Sequence, residues 1–295
     1  MQIFYIDLFS GCGGFALGLK QAGFKHRVHL YSEIDKYKIM VYRKHFPDAV
    51  NLGDIRHVKT KQIKHIISAH GTPHLITFGW PCQDSSRLGK GRGLMAGRKS
   101  SLFFDAIRII EKMQPRHIIA ENVAGLRDRG DGTDLIEAIR SMSFLSKDLP
   151  QYHLEMQLFD SRFYTAQSRP RLYFCGHIRG KCTGEIFPLP QKSRVLIKKS
   201  SPEKRQFINC MSARYGVSGN QVEHSILETK DGRHRRFTPL EVERFQGYPD
   251  HFTALGIDDK GLEKKISDSQ RWAMLGDAVT VPIVKEIAAE LKKVM

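Results

Sequence analysis

The chain has 295 residues, 41% hydrophobic and 26% charged, which is too apolar for a disordered polymer and enough to bury the core of one large domain or two unequal ones. Lys and Arg number 47 against 31 Asp and Glu, a formal charge of +16 that points to a polyanionic partner, nucleic acid first. No run reaches the roughly 18 apolar residues of a membrane span. The apolar start IFYIDLF has neither a basic lead nor a cleavage site, and the five cysteines form no C-x-x-C pair. A soluble cytoplasmic protein is expected, with no membrane contact, no disulfide framework and no metal.

Along the first 177 residues short β-rich runs alternate with amphipathic helical ones. QIFYIDLF leads to the helix GFALGLKQAG; HRVHLYSE leads to a helix that begins near Asp35 and is stopped by Pro47. The rhythm continues through a helix over 60–69, the strand HLITFGW, the helix SLFFDAIRIIEKM and the strand RHIIAE, so crossover connections and a parallel sheet are predicted. YHLEMQLFD and RLYFCGH follow so closely that the sheet should end in an antiparallel pair. From Ile178 to Phe237 the composition shifts to 13 Lys/Arg against 5 Asp/Glu, net +8, with weak strand and helix signals. Periodicity returns in TPLEVERFQGYP and in TVPIVKEIAAELKK, where Ile283, Val284, Ile287, Ala288 and Leu291 line one helix face. The expected organisation is an α/β domain over 1–177, a small basic domain over 178–237, and a C-terminal segment over 238–295 that completes the first.

The first strand runs into Asp7-Leu8-Phe9-Ser10-Gly11-Cys12-Gly13-Gly14, where glycines let the backbone turn tightly against a ligand. Gly11-x-Gly13-x-x-Ala16 fits a dinucleotide fingerprint, with Glu33 placed to hold ribose hydroxyls, so a nicotinamide oxidoreductase competes at this point. HLITFG ends in Trp80-Pro81-Cys82, and the proline keeps the preceding residue extended, so Cys82 should emerge at a strand's carboxyl end. A lone cysteine is ordinarily inert packing. Here Phe9 to Gly14, Glu33, Asp54, Cys82 and Glu121 each follow a successive predicted strand, at the end where open α/β sheets place ligands. Zinc-dependent base deamination also uses Pro-Cys, but it needs an upstream H-x-E and a second cysteine three residues on; position 85 is Ser and the H-x-E at 153–155 lies downstream.

The ordered set DLFSGCGGF, Glu33, GDI at 53–55, GWPCQDSS at 79–86, Glu121-Asn122-Val123, Gln167-Ser168-Arg169-Pro170-Arg171, RRFTPLEVERFQGYPD at 235–250 and Gly276-Asp277-Ala278-Val279 resembles the DNA (cytosine-5)-methyltransferases over nearly the whole chain. The resemblance implies a Rossmann-like S-adenosylmethionine-dependent methyltransferase sheet with helices on both faces, plus a small basic target-recognition domain at 178–237. It implies that Cys82 attacks carbon 6 of a flipped-out cytosine so that carbon 5 can take the methyl group, leaving S-adenosylhomocysteine. Glu121 is then the group at the N3 edge, and a carboxyl in a closed pocket favours its protonated form. Arg169 and Arg171, spaced i, i+2, would share one face of an extended segment and hold the base carbonyl, the thiolate or a phosphate. For the cofactor, the resemblance implies adenosine between Phe9 and the apolar Ile34 and Ile55, Glu33 on the ribose, Asp54 near the adenine amine, and Ser10, Gly11 and Gly13 around the methionine tail. Leu102 and Asp277 complete that lining.

Arg87 to Lys99 holds five basic residues, no acids and Gly89, Gly91, Gly93 and Gly97, which reads as a loop that closes over phosphates. Arg87 or Leu88 is expected to fill the gap left by the base, with Lys90, Arg98 and Arg235 as further DNA contacts. Two departures stand out: Ser85 replaces the bulky apolar residue often found three after the cysteine, and Asp277 stands where the family usually has Asn. The partner expected is double-stranded DNA, met by a monomer; a cognate restriction endonuclease would need no obligate complex with it. A transfer-RNA cytosine-5 methyltransferase keeps the same core chemistry, but the Cys-Phe-Thr element of its closest relatives is not found. A non-catalytic DNA-binding relative tends to lose the nucleophile, and Pro81-Cys82 is intact.

Overall fold

A computed structural model describes residues 1–81, 102–145, 150–180, 184–191, 208, 210–212, 226–228, 232 and 234–295. Cys82, Arg87, Leu88, Lys90 and Arg98 lie outside the described residues, as does most of 178–237.

Seven strands form one sheet: β1 (Gln2–Leu8), β2 (Lys25–Ser32), β3 (Val50–Asn51), β4 (Leu75–Gly79), β5 (His117–Val123), β6 (Tyr152–Asp160) and β7 (Pro170–Ile178), in the order β3-β2-β1-β4-β5-β7-β6. The first five are parallel, while β7 runs antiparallel to both β5 and β6, which gives the antiparallel end expected from the close spacing of those two runs. The parallel strands are covered on both faces. Ile3 and Tyr5 of β1 go to one apolar layer and Phe4, Ile6 and Leu8 to the other, as period-2 alternation requires.

The order reverses at β1, whose neighbours are β2 and β4, so a crevice opens at the carboxyl ends of these strands. Helix α1 (Gly14–Gln21) follows β1 directly, and α2 (Lys36–His45) begins where the Asp35 side chain accepts from the N–H groups of Tyr37 and Lys38, both at 2.9 Å. The C-terminal helix Val281–Val294 buries Ile283, Val284, Ile287, Ala288 and Leu291, the predicted stripe. It packs so tightly on α1 that a Cβ at Gly18 would meet Val284 Cγ1 at 2.5 Å. Helix Pro239–Gln246 starts with a capping box between Thr238 and Glu241. Helix Thr133–Phe144, helix Asp268–Asp277 and the hairpin Leu255–Ile257 with Glu263–Lys265 are elements that the periodicity reading did not single out. Among the described residues no helix is long and apolar enough to cross a membrane.

Candidate active site

Strand β4 carries the chain to the site. Gly79 pairs with Glu121 across β4 and β5, and Trp80 is buried against Phe78, Phe103 and Phe174. The Asn122 side chain donates to the Trp80 carbonyl at 3.0 Å, so the backbone is anchored immediately before Pro81. Cys82, the next residue, lies outside the described residues.

Glu121, at the carboxyl end of β5, is only 9% exposed. Its Oε1 lies 3.0 Å from Arg171 Nε, brought alongside by the antiparallel pairing of β5 with β7. Burial raises the pKa of this carboxyl; Arg171 and Arg169 oppose the rise without cancelling it. The site therefore holds a buried carboxyl whose protonated form is favoured by burial and whose charged form has a guanidinium beside it.

The two arginines have different partners. Arg169 is buried, and its Nη1 donates to the Met211 carbonyl at 3.0 Å while its Nη2 donates to the Gly276 and Ala278 carbonyls, each at 3.0 Å. It ties residue 211, within the basic segment, to the turn that carries Asp277. The expected sharing of one face is visible only at Cys210, whose Sγ accepts from Arg169 at 3.3 Å and from Arg171 at 3.6 Å. Arg171 alone of the pair forms an ion pair with Glu121.

On the other side of the crevice the glycine loop turns through left-handed backbone at Phe9 (φ 54°), Gly11 (φ 57°) and Gly13 (φ 95°). A Cβ at Gly11 would meet nothing within 4 Å, so the loop is open above that position. Glu33 holds the loop: its Oε2 accepts from Gly11 N–H at 3.0 Å while Oε1 accepts from Ile34 and Asp35 N–H at 2.8 and 2.9 Å. Ser10 Oγ is buried and makes no hydrogen bond. Phe9 and Leu102 pack on the core layer that contains the buried Ile55, whereas Ile34 is 67% exposed. Asp54 caps the short turn Ile55–His57 and binds Arg56, which holds its carboxyl down at about 2.

Only some of these parts line one cleft: Glu33, Ile34, Asp54, Ile55, Leu102, Arg169 and Arg171 are not among its lining residues. Phe9, Ser10, Gly11 and Cys12 line it from the loop, Gly79 and Glu121 from β4 and β5, and Tyr248, Asp277 and Val279 from the C-terminal segment. Cys12 Sγ donates to Tyr248 Oη at 3.5 Å, which joins the loop to that segment; burial pushes the Cys12 thiol up to about 11, so it stays protonated. Asp277 forms an ion pair with Lys38 at 2.9 Å, a partner 239 positions away that sequence reading did not find. Arg235 is described, and its guanidinium binds both carboxylate oxygens of Glu241 at 2.8 Å. Arg235 thus has a carboxylate on both terminal nitrogens where a DNA contact was expected. Among the described residues no group of three His, Cys, Asp or Glu is placed to hold a metal.

The chain is similar over its length to known methyltransferases. A family model for C-5 cytosine-specific DNA methylases matches residues 3–209 and 191–293. The type II methyltransferase M1.ScrFI of Lactococcus lactis subsp. cremoris is 28% identical, over 98% of this chain and 78% of that protein. The type II methyltransferase M.NlaX of Neisseria lactamica is 27% identical, over 97% and 95%. In fold, the crystal structure of the S. pombe Dnmt2 methyltransferase superposes with a TM-score of 0.72 at 18% identity, covering 99% of both chains.

Proposed function

The chain belongs to the C-5 cytosine-specific DNA methylases, and from that premise we propose how its own residues carry out DNA cytosine-5 methylation. The observation that supports the reading is the cleft running from the glycine loop to Glu121 and lined by Gly79, the last residue of β4.

S-adenosylmethionine fits the loop side: Ser10 Oγ is a buried hydroxyl lacking a partner, and the space above Gly11 is free for a ligand. When bound it supplies an electrophilic methyl group. Phe9 and Ile55 would flank the adenine, with Asp54 at its amine once Arg56 shifts. Glu33, engaged with three backbone N–H groups, would reach the ribose from a fixed position.

In the base pocket the Cys82 thiolate adds to carbon 6, and the electron pair of the ring moves toward N3 and carbon 5. Glu121 donates its proton or a hydrogen bond at N3, a role that the burial-raised pKa supports. Arg171 turns from Glu121 toward the base carbonyl. After carbon 5 has taken the methyl group its proton leaves to water, the bond to Cys82 breaks to restore the thiolate, and the N3 proton returns to Glu121 to restore the ring. Arg169, with its two Nη groups on the Met211, Gly276 and Ala278 carbonyls, positions the strand rather than touching the base.

The segment 178–237 carries +8 net charge and is assigned the reading of the target site: arginines at guanine edges, lysines on phosphates. Arg87 or Leu88 fills the space of the extruded base, and Lys90 and Arg98 hold the flanking phosphates. Arg235 joins them by exchanging Glu241 for a phosphate. The enzyme acts as a monomer in the cytoplasm on duplex DNA, without a metal, and in no obligate complex with an endonuclease.

The test is transfer of tritium from labelled S-adenosylmethionine to duplex DNA or to transfer RNA, by wild type and Cys82→Ser. Label on carbon 5 of cytosine in DNA, lost in Cys82→Ser, is the expected result. Equal transfer by both proteins, or label confined to transfer RNA, contradicts it.

A further inference from the structure

The family usually carries Asn where this chain has Asp277, and the structure gives that carboxylate a specific partner. Lys38 Nζ lies 2.9 Å from Asp277 Oδ2, with the two side chains 18% and 55% exposed. Both ends are firmly placed. Asp277 stands between Gly276 and Ala278, whose carbonyls are held by the buried Arg169, and the Leu275 carbonyl accepts from Gln246 at 3.0 Å. Lys38 sits in the first turn of α2, capped by Asp35, and Asp35 is held in turn by the Glu33 carboxylate that also holds Gly11. The pair therefore bridges the glycine loop and the end of helix Asp268–Asp277.

The cleft itself poses a charge problem. Its described lining carries two carboxylates, Glu121 and Asp277, and no basic side chain. The ligand read for it is zwitterionic at its amino-acid end, with one α-ammonium and one α-carboxylate. Asp277 suits the first; nothing lining the cleft offers a charge to the second. Lys38 does, from beside Asp277. Burial works against its charge, but Asp277 and Glu33 push its pKa above the ordinary lysine value, so the ammonium is present throughout the physiological range.

We propose that the Lys38–Asp277 ion pair is the receptor for the amino-acid end of the methyl donor, opening so that Asp277 takes the α-ammonium and Lys38 takes the α-carboxylate. The exchange replaces one ion pair by two of the same kind, so no charge is left without a partner at any stage. Lys38 then determines specificity for a donor that carries its carboxylate. The inference rests on the methyl-donor reading above.

Calorimetric titration without DNA separates the two. Wild type is titrated with S-adenosylmethionine and with its decarboxylated form, which keeps the amine and the sulfonium. Wild type should prefer the parent by roughly tenfold or more, the size of a charged hydrogen bond lost. Lys38→Met should bring that ratio close to one by weakening the parent alone, Lys38→Arg should restore it, and Asp277→Asn should weaken both ligands. Lys38→Met with the wild-type ratio, or with both ligands weakened alike as a structural role would give, overturns the inference and leaves the methyl-donor reading standing. Wild type that binds neither ligand overturns both.

Discussion

Gly79 and Glu121 face each other in the β4–β5 register, and a Cβ at Gly79 would sit 3.3 Å from Glu121 Oε2. The absence of a side chain at 79 therefore leaves the Glu121 carboxyl room beside Arg171. Gly79→Ala should lower the methylation rate by about tenfold by crowding a carboxyl that Arg171 already holds, while the melting temperature moves by only a few degrees. Single-turnover kinetics beside thermal melts check it; unchanged kinetics would mean that Glu121 has slack.

The two arginines of the Gln-Ser-Arg-Pro-Arg run should separate stability from catalysis. Arg169→Lys strips planar, multidentate bonds from the buried carbonyls of Met211, Gly276 and Ala278 and should cost about 3 kcal/mol of folding stability. Arg171→Lys keeps a positive charge beside Glu121 and should cost less stability than Arg169→Lys, yet reduce activity by two orders of magnitude or so. Urea denaturation and initial rates on both variants test the split, and the reverse pattern would contradict it.

At Gly18 two effects compete. Alanine favours helix over glycine by about 1 kcal/mol, but its Cβ would meet Val284 Cγ1 at 2.5 Å and the backbone nitrogen of Lys285 at 3.1 Å. Overpacking of this kind costs about 1–3 kcal/mol, so Gly18→Ala should destabilise by up to about 2 kcal/mol. A gain in the denaturation midpoint would show that the C-terminal helix is free to move away from α1.

Stability should also depend on pH through a buried polar chain. Asp7 accepts from Thr77 at 2.7 Å and from Tyr42 at 3.2 Å, and Tyr42 is hydrogen-bonded to His29 at 2.7 Å. Burial lowers His26 to about 4 and His29 to about 3, so between those values and about 6.5 the unfolded chain binds more protons and stability is lost as pH falls. Asp7 has the opposite sign. Burial raises it to about 7, so the folded state holds the extra proton between about 4 and 7 and stability is lost as pH rises through that window. Two histidines outweigh one aspartate: unfolding free energy should climb from pH 4.5 to 6.5, and Asp7→Asn should steepen the climb. A flat wild-type profile would contradict these assignments.

Much of the fold was legible because local chemistry dictated it. Asp35 and Pro47 bracket α2, and the stripe from Ile283 to Leu291 marks the last helix. The helix Thr133–Phe144 follows a run of glycine turns that carries no N-cap side chain, so its start gave no signal. At the site, the residue types and their place at strand ends were readable, since they follow from period and order along the chain. Partnerships were not. Lys38 with Asp277, and Cys12 with Tyr248, join positions more than 230 residues apart that only the packing of the C-terminal segment onto the sheet brings together. Arg235 shows the converse: Glu241 lies six residues on, and a capping glutamate with spare acceptor capacity is a ready partner for a nearby guanidinium.

The proposed mechanism turns on a temporary bond between Cys82 and carbon 6 of the target cytosine, with Glu121 as the acid at N3. Mass spectrometry of the protein after incubation with S-adenosylmethionine and a duplex carrying 5-fluorocytosine, whose ring has no proton to lose at carbon 5, measures that bond directly. A one-to-one covalent protein–DNA complex is expected with wild type, much less with Glu121→Gln and none with Cys82→Ser. A wild-type enzyme that methylates cytosine in the same site yet is never trapped, or a Cys82→Ser variant trapped as efficiently, would contradict it.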